Sequence, residues 1–589
     1  MSAAGRQTLV VRLQGALLLG GAGQRSNMLL CLRGSDDAPY IPASALKGAI
    51  REQLTRLRDG GLADAILGCA PDRTGPLQRR RDGGTTRVFI GDARLDGDQS
   101  RQARHGFHLR SNVSIDRRTG RAADQRLFSR EVFDPAQPAV FRAEIDTRLL
   151  NDDESSCLRA AVQSVYAIGS GRSIGLGAVE MSLEDAAPPE TKLTLPGAAD
   201  LVLWLEAVEP LCLGFTRSGR SNFRPTLDFT PASTLRGAVA SAALTQRGDA
   251  DVDQSGDPIF KSLLLDPDTC LRFSDALPTD ATPDAGAPLP RRAPFSLRSC
   301  KAAPAAHGHI DTLAQTWLVE ELARRGVLLA PSDDCGCEGC GERAVLAKDW
   351  LDAAAPGKRV VTRVGLDPVT GRGVDGQLFS LETVVPGTRF VARVRNVDAD
   401  GRSLLADAAQ HGLRVGRGRG QGYGRVRVVA VTAGSESPSV SERVATLDRE
   451  LRTLAACVPG LDAAGAYLVA TLQTDLCPLP GSTALAESAF LEALGLDGPQ
   501  VLAGSVRAGQ RGGYDTQAAA GASVDTPKAF ASVVRAGSTL LLALSRALDD
   551  HDLRRLEHME RHGIGARCEE GYGSVRFSDP VHLPGWRRP

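Results

Sequence analysis

The stretch IPASALKG at residues 41–48 occurs a second time, as TPASTLRG, at residues 230–237. Each copy follows an apolar run typical of a β-strand and precedes an apolar-periodic run typical of a helix. The shared pattern is a proline turn, small polar residues, a basic residue and a glycine. Because this pattern is unlikely to occur twice by chance, it indicates that the chain contains an internal repeat.

Three further motifs follow each copy in the same order. They are VFIGDARL (88–95) and LRFSDALP (271–278), SIDRRTGRAADQRLFSREVF (114–133) and VGLDPVTGRGVDGQLFSLETV (364–384), and IGSGRSIGLGAV (168–179) and VGRGRGQGYGRV (415–426). Weaker copies of the second and fourth motifs stand in the tail, as VLAGSVRAG (501–509) and IGARCEEGYGSV (564–575). Glycine-rich turns could recur by composition alone, since the chain has 63 glycines, but the kept order favours two full units and one degenerate third.

Length and composition agree with a multi-domain globular protein. The 589 residues are too many for one core, and 42% of them are apolar. Proline-rich or polar linkers at 185–200 and 433–441 divide the chain into domains at 1–185, 198–432 and 442–589, here called units 1, 2 and 3.

We expect no membrane span and, because no signal-peptide pattern is present, a cytoplasmic location. The formal net charge of zero leaves only local attraction to nucleic acid.

The order of predicted elements in unit 1 is β, α, β, a long polar excursion, β, α, β. This order predicts an α+β fold of tandem ferredoxin-like domains, in which two split βαβ motifs share one sheet. The helix of the first motif begins near Ser44, and Lys47 lies one turn inside it. Its free amides and the lysine form a candidate anion site, although the two side chains could merely cap and solvate the helix.

Together the four motifs resemble the RAMP superfamily of CRISPR effector proteins. Residues 1–183 resemble the backbone subunit of type III effectors, and residues 198–580 resemble the RAMP subunit of type III-D complexes, which is grouped with subunits that hold the RNA 5′ end. The resemblance implies RRM-like domains with β-hairpin thumbs at 115–127 and 366–378 that flip bases of a guide–target duplex. It implies a ribonucleoprotein of antiviral defence in which the chain holds the 5′ region of the crRNA. Its partners would be complementary target RNA, the large polymerase-type subunit, and backbone and small subunits.

Candidate RNA-binding residues lie in the turn–helix motifs, the thumbs and the glycine-rich motifs. Glycine lets the backbone approach phosphates, and the arginine guanidinium makes bidentate phosphate contacts. The predicted set is Ser44, Lys47, Arg117, Arg118, Gly169, Gly171, Arg172, Ser233, Arg236, Arg372, Arg414, Arg417 and Arg419. The loop of the tail motif carries Glu569 and Glu570, whereas the loops of the other copies carry arginine, so we expect the tail loop to face protein.

The resemblance also raises the question of RNA cleavage. The family's cutting subunits use an Asp after the first strand, with a divalent metal such as Mg²⁺, and the corresponding position here is Asn27. An amide neither accepts a proton as a carboxylate does nor holds a cation with full charge, so we expect no catalysis. An endoribonuclease that cuts target RNA or processes crRNA is the alternative, with His105 and His108 as weak candidates. A scaffold that binds only protein is a third hypothesis.

One cysteine cluster differs from the isolated, apolar-flanked cysteines. Cys335, Cys337 and Cys340 form a short knuckle, and Cys337 and Cys340 have the CxxC spacing that suits tetrahedral zinc. Cys300, His307 and His309 precede them in the same insert and are candidates for the remaining ligand. We predict structural Zn held by Cys300, Cys335, Cys337 and Cys340, with a redox CxxC or free thiols as alternatives.

Overall fold

A computed structural model of the chain describes most of its residues. The described residues are 5–25, 28–34, 36–58, 60–68, 86–95, 97–186, 193–214, 222–247, 262–264, 266, 268–284, 289–329, 340, 343–347, 350–353, 355–366, 373–434, 438–461, 464–515 and 526–583.

Unit 1 is built on one antiparallel sheet. Its elements are β1 Arg6–Leu13, β2 Gly20–Arg25, β3 Met28–Cys31, β4 Tyr40–Ile41, α1 Ala43–Leu57, α2 Gly60–Leu67, β5 Phe89–Ile90, β6 Ala93–Leu95, α3 Gly97–Ala103, β7 Phe107–Ile115, β8 Ala122–Phe133, β9 Val140–Asp146, α4 Asp152–Gln163 and β10 Val179–Asp185. The strand order is β10-β1-β9-β6-β4, with β5 also paired to β9. Helix α1 packs on this sheet through Leu46, Ile50 and Leu54, which recur at helical spacing and are buried.

Unit 2 repeats this arrangement with a large insert. Its elements are β11 Leu201–Ala207, β12 Phe223–Arg224, α5 Ala232–Arg247, β13 Arg272–Phe273, β14 Leu277–Pro278, β15 Arg291–Arg292, β16 Leu297–Cys300, α6 Pro304–His307, β17 His309–Asp311, α7 Leu313–Arg324, β18 Ala344–Leu346, β19 Trp350–Leu351, β20 Lys358–Leu366, β21 Gly373–Val384, β22 Arg389–Arg395, α8 Ala399–His411, β23 Leu413–Arg414 and β24 Arg425–Ala433. The main sheet has the order β13-β22-β11-β24-β23, and β14 also pairs with β22.

Unit 3 carries a four-stranded sheet. Its elements are α9 Val440–Ala456, β25 Ala466–Leu472, α10 Ala486–Leu494, β26 Gln500–Ser505, β27 Ala508–Asp515, β28 Thr526–Val534, β29 Thr539–Leu544, α11 Asp550–His562 and β30 Val575–Phe577. The sheet order is β26-β29-β25-β30. Helix α9 begins at a capping box, because Ser439 Oγ accepts the Glu442 N–H at 3.3 Å and the Glu442 carboxylate accepts the Ser439 N–H at 2.8 Å.

The three sheets share one topology. In each, the first strand lies between the last strand and the strand that precedes the last helix of the unit, and all of these pairs are antiparallel. Mixed α and β elements with antiparallel sheets agree with the predicted α+β class. Among the residues that the structure describes, no helix is long and apolar enough to cross a membrane.

A hairpin stands between the second and third main strands of every unit. Strands β7 and β8, β20 and β21, and β27 and β28 form these pairs. The first two hairpins contain the long polar excursions that the sequence predicts, whereas the sequence does not predict the third hairpin. Strand β3 extends the first hairpin in parallel, and β12 extends the second.

Candidate nucleic-acid interface and metal centre

The first and second motifs meet at the start of a helix. Asp92 Oδ1 accepts the backbone N–H of Ala43, the first residue of α1, at 2.8 Å. In unit 2, Asp275 Oδ1 accepts the N–H of Ala232, the first residue of α5, at 2.9 Å. The carboxylate thus caps a helix 49 residues away in one unit and 43 away in the other, which explains why the two motifs occur together.

Both capping carboxylates are largely but not fully shielded from solvent, and the Asp275 side chain is 12% exposed. Desolvation raises the pKa of Asp92 above its usual value, against the opposing effect of the Ala43 N–H and nearby arginines. Desolvation raises the pKa of Asp275 to about 6, although the Arg292 guanidinium lowers it. The helix amides and arginines favour the ionised acid, but burial outweighs them.

The three glycine-rich loops, here loop 1 (168–177), loop 2 (415–424) and loop 3 (564–573), have the same backbone. The last glycine of each approaches the carbonyl of the first residue so closely that a Cβ would lie 1.9 Å from Ile168 O, 2.2 Å from Val415 O or 1.9 Å from Ile564 O. In return, the backbone N–H of the first residue donates to the carbonyl oxygen of the last glycine, at 2.9 Å in loop 1, 2.7 Å in loop 2 and 2.9 Å in loop 3. The loops therefore require this glycine for their own fold, whether or not they approach a phosphate.

The predicted anion site at α1 lies in a protein–protein junction between units 1 and 2. Lys47 Nζ donates to the Gly420 carbonyl and to Thr86 Oγ1, each at 3.3 Å. Ser44 Oγ accepts from the Arg363 guanidinium of β20. Desolvation, and then the charge of Arg51, lower the pKa of Lys47 to about 8. The structure thus gives both predicted residues partners in the second unit.

Three predicted arginines also have protein partners. Arg172 of loop 1 forms an ion pair with Glu52 at 2.8 Å. Arg236 donates through Nε to Leu264 O at 2.9 Å, and the Arg414 guanidinium lies 4.8 Å from the ring centre of Phe89.

The other predicted RNA-binding residues lie at the hairpin tips, in the glycine-rich loops and in the second turn–helix motif. Arg117 and Arg118 are exposed at the tip of the first hairpin, where Asp116 Oδ1 accepts the Arg118 N–H at 2.9 Å and closes the turn. Gly169 and Gly171 have left-handed φ angles of 81° and 76°. The remaining positions are Ser233 and Arg419, half-buried, Arg417, exposed, and Arg372, which lies outside the described residues.

The first two hairpins expose matching apolar faces. Val113 pairs with Leu127 on the first hairpin, and Val364 pairs with Leu378 on the second. Two residues toward the base, hydroxyl pairs cross each hairpin: Ser111 and Ser129 at 3.0 Å, and Thr362 and Ser380 at 3.1 Å. The leucines are 62% and 56% exposed, so each hairpin presents an apolar wedge to solvent. Alignment of the motifs at 114–133 and 364–384 places Leu127 opposite Leu378, but the sequence does not show that these two side chains are exposed.

The candidate cleavage position, Asn27, lies outside the described residues. Met28 follows it at the start of β3 and pairs in parallel with Ser129 of the first hairpin. His105 and His108 are exposed near the base of that hairpin. In the described part of the chain, two groups of side chains are arranged so that they could hold a metal ion: Cys300, His307 and Cys340, and a largely exposed group at the capping box of α11.

The insert of unit 2 brings together Cys300, His307 and Cys340, whose ligand atoms all lie within 4.8 Å of one another. The two sulfur atoms are 3.7 Å apart. Two thiolates bound at about 2.3 Å to one tetrahedral zinc ion would lie about 3.8 Å apart, so this spacing fits the ion. A backbone N–H of Ala303, and then the His307 side chain, hold the pKa of Cys300 below its usual value.

The predicted zinc set is thus located in part. Cys300 and Cys340 converge, whereas Cys335 and Cys337 lie outside the described residues. His307 joins the cluster, although the four-cysteine set omits it. His309 instead bonds through Nδ1 to Ser299 Oγ at 2.7 Å and is not a member of the cluster.

Comparison with known proteins identifies one family. Residues 13–180 match the family model of the RAMP superfamily, a range that includes α1, Asp92, the first hairpin and loop 1. This family match lies within unit 1. No curated protein matches the sequence significantly.

Two solved structures are similar at low identity. They are a chain of type III-B Cmr-beta in the apo state and a chain of type III-B Cmr-beta bound to cognate target RNA. Each is 13% identical, covers 31% of this chain and 97% of its own length, and has a TM-score of 0.25.

Proposed function

We propose that the chain is a crRNA-binding structural subunit of a type III CRISPR RNA-guided effector complex. It would hold the 5′ region of the guide and dock the large subunit and further backbone subunits. The family match of unit 1 supports the class of protein. The observation that carries the RNA-binding role is the pair of hairpins with equivalent exposed leucines, Leu127 and Leu378.

An apolar wedge on a hairpin suits contact with splayed RNA bases. Sequence-independent recognition of RNA combines phosphate contacts with side chains that pack against unstacked bases. Arg117 and Arg118 at the tip of the first hairpin add positive charge beside the wedge. The two wedges belong to units that share one topology, so they would meet the guide–target duplex at two successive places.

The first test is the RNA that the chain carries. Co-expression with neighbouring genes and a CRISPR array, followed by sequencing of bound RNA, should recover processed guides with one repeat-derived 5′ end. Recovery of no RNA, or of random RNA, would refute guide binding and leave a protein scaffold.

The second test addresses the wedges. A target RNA with 2-aminopurine opposite the first hairpin should become more fluorescent on binding, because a flipped base is unstacked. Leu127→Ser should reduce this increase, while Val345→Ser, an exposed apolar residue on β18 outside the hairpins, should not. Equal fluorescence in all three proteins would argue against the wedge.

We also propose that the chain does not cut RNA, because Asn27 replaces the carboxylate that metal-assisted cleavage needs. The wild-type complex should leave complementary RNA intact in Mg²⁺, and Asn27→Asp should produce cleavage. Cleavage by the wild type would favour the endoribonuclease alternative.

The cysteine cluster supports a third proposal, a structural zinc ion held by Cys300, His307 and Cys340 with one further ligand from the same insert. With four protein ligands the ion would have no open position for a substrate, so its contribution would be to the stability of the insert.

A further inference from the structure

The units of the chain meet at two internal junctions, one between units 1 and 2 and one between units 2 and 3. In the first, a Cβ on Gly422 of loop 2 would lie 2.8 Å from the Cβ of Ala43, at the start of α1. In the second, a Cβ on Gly571 of loop 3 would lie 2.2 Å from the Cβ of Ala232, at the start of α5. The second junction also contains a cavity of about 520 Å³. This volume lies within the range of about 300–1,000 Å³ that is typical of pockets for small molecules.

The floor of the cavity is the face of the unit 2 sheet opposite helices α5 and α8. Leu203 and Ala392 point toward those helices and belong to the core. On the other face, Val202 of β11 pairs directly with Thr432 on one side and with Arg393 on the other, and all three residues line the cavity. Directly paired residues of neighbouring strands lie side by side on one face, so these three form a continuous row.

Arginines are concentrated at one end of this floor. Arg272 of β13 pairs directly with Arg395 of β22, and Arg393 stands two residues from Arg395 on the same face. The Arg395 guanidinium donates to the backbone carbonyl of Glu560 in unit 3. Like charges directly opposite one another destabilise a sheet. An anion between these guanidinium groups would relieve the repulsion, and guanidinium groups are well suited to phosphate oxygens.

The lining of the cavity as a whole carries an excess of positive charge. It contains four acidic residues, Asp275, Asp284, Asp352 and Glu560. It contains six arginines, Arg272, Arg291, Arg393, Arg395, Arg561 and Arg576. The arginines of β13, β15 and β22 belong to unit 2, whereas those at the end of α11 and on β30 belong to unit 3. An anionic ligand would therefore interact with both units.

The ion pairs behind the wall of the cavity do not remove this excess. Glu560 pairs with the buried Arg443 at 2.5 Å. Asp579 pairs with Arg291 at 2.8 Å and with Arg576 at 2.6 Å. These contacts add one cation and one anion to the surroundings, so the excess of positive charge in the lining stays uncompensated by them.

The rest of the lining is suited to an organic ring system. Val202 and Val391 are buried in the floor. Leu289, Pro290 and Tyr572 also line the cavity, and an aromatic ring such as that of Tyr572 can stack on any nucleobase. A cluster of arginines beside an apolar floor matches a molecule that has phosphate groups at one end and a base at the other.

We propose that this cavity binds a free nucleoside triphosphate. The phosphates lie among Arg272, Arg393 and Arg395, since three neighbouring guanidinium groups match a chain of phosphates, and the nucleoside lies over the valines of the floor. The ligand contacts units 2 and 3 at once, so its binding stabilises their junction. None of the described residues of the first two hairpins lines the cavity, so this role goes beyond contact with guide or target RNA.

The first measurement is isothermal titration calorimetry with the full-length chain. The ligands are the four common nucleoside triphosphates, adenosine and inorganic triphosphate. At least one nucleoside triphosphate should bind, with one ligand per chain, whereas adenosine should not bind because it lacks the phosphates. Inorganic triphosphate should bind more weakly, because it makes no contact with the floor. Binding of none of the four nucleotides, or binding of inorganic triphosphate as tight as theirs, would overturn the proposal.

A matched pair of variants tests the arginines. Arg393→Gln removes one guanidinium from the floor and should weaken nucleotide binding at least about tenfold, as expected for the loss of a charge-assisted hydrogen bond. Arg427→Gln is the control, because Arg427 pairs with Glu206 on the same face of the sheet and does not line the cavity. Equal affinity in the wild type and both variants would refute the site.

Photocrosslinking locates the ligand without any substitution. The azido analogue of the nucleoside triphosphate that binds most tightly is crosslinked to the wild-type chain, and the modified peptide is identified by mass spectrometry. The crosslink should fall within residues 272–277, 391–395 or 571–576, which line the cavity. A crosslink on a hairpin or elsewhere would contradict the proposal. Excess RNA with a 5′-triphosphate should leave the crosslink unchanged, and its loss would assign the cavity to an RNA end instead of a free nucleotide.

Discussion

The buried aspartate that caps α5 leads to a prediction about pH. Desolvation raises the pKa of Asp275 to about 6, from an ordinary value near 3.8. The folded chain therefore holds this proton more tightly than the unfolded chain does. Since the native state binds more protons between these two values, its stability falls as the pH rises through this window and is regained as the pH falls. Replacement by Asn removes the titration while keeping a carbonyl oxygen toward Ala232.

The size of the effect follows from the two pKa values. Between pH 7 and pH 5, proton uptake by Asp275 should add about 1 kcal/mol to the free energy of unfolding. This increment should be present in the wild type and absent in Asp275→Asn. Arg292, whose Nη2 lies 4.0 Å from Asp275 Oδ2, and Asp475 and Arg511, which interact with the carboxylate through their charge, are the other ionisable groups that act on it.

The assay is denaturant-induced unfolding of the full chain at pH 5 and pH 7, followed by tryptophan fluorescence, to which the buried Trp204 of unit 2 contributes. The comparison is the difference between the wild type and Asp275→Asn at each pH, which cancels groups common to both. Asp116→Asn is the control, because the turn N–H groups of Thr119 and Arg118 hold the pKa of that exposed acid below its usual value. If the difference between the wild type and Asp275→Asn is the same at both pH values, the reasoning about burial is refuted.

Three further predictions concern other contacts. Burial lowers the pKa of Lys47 to about 8, so the unfolded chain binds more protons above that pH, and wild-type stability relative to Lys47→Met should rise from pH 8 to pH 10 in the same unfolding assay. Cys300→Ser should lower the zinc content measured by atomic emission by about one equivalent, whereas the exposed Cys457→Ser should not, and equal zinc in both would contradict the site. Gly424→Ala places a Cβ 2.2 Å from a carbonyl of its own loop and should cost about 1–3 kcal/mol more than Gly387→Ala, which has a similar φ but open space around it. Equal midpoints in denaturant for these two variants would contradict the steric argument.

The repeat could be found from the sequence because local chemistry carries it. The turn–helix motif and the glycine-rich loop each need particular residues for their own backbone, as the close approach of Gly177 to Ile168 O shows. Motif order then indicates the order of elements in each unit. The α+β class and the positions of the first two hairpins follow from such local requirements.

The contacts between motifs could not be found in this way. Lys47 and Gly420 are 373 residues apart, and a lysine one turn inside a helix is equally suited to a phosphate and to a carbonyl. The sequence favoured a phosphate for Lys47 and Ser44, whereas the structure gives both residues protein partners. The hairpin of unit 3 was missed because β27, with the sequence AGQRGGYD, lacks the apolar alternation that marks a strand.

The charge of a loop was also a poor guide to its neighbour. Loop 3 was expected to face protein because it carries Glu569 and Glu570, and its Gly571 does contact Ala232 of unit 2. Loop 2, which carries arginines, makes the equivalent contact with Ala43. What decides the contact is the shape of the loop and the glycine at its apex, and the net charge of its other residues is free to vary.

Covalent linkage explains why the two internal junctions differ in sequence. Units on one chain meet at an effective concentration that a short linker can raise to about the millimolar range, so a weak contact suffices to hold them together. Loop 3 accordingly tolerates Arg567 at a left-handed φ of 60°, where loops 1 and 2 have glycine. A substitution at the apex of loop 3, where Gly571 contacts Ala232, should therefore change the stability of the chain.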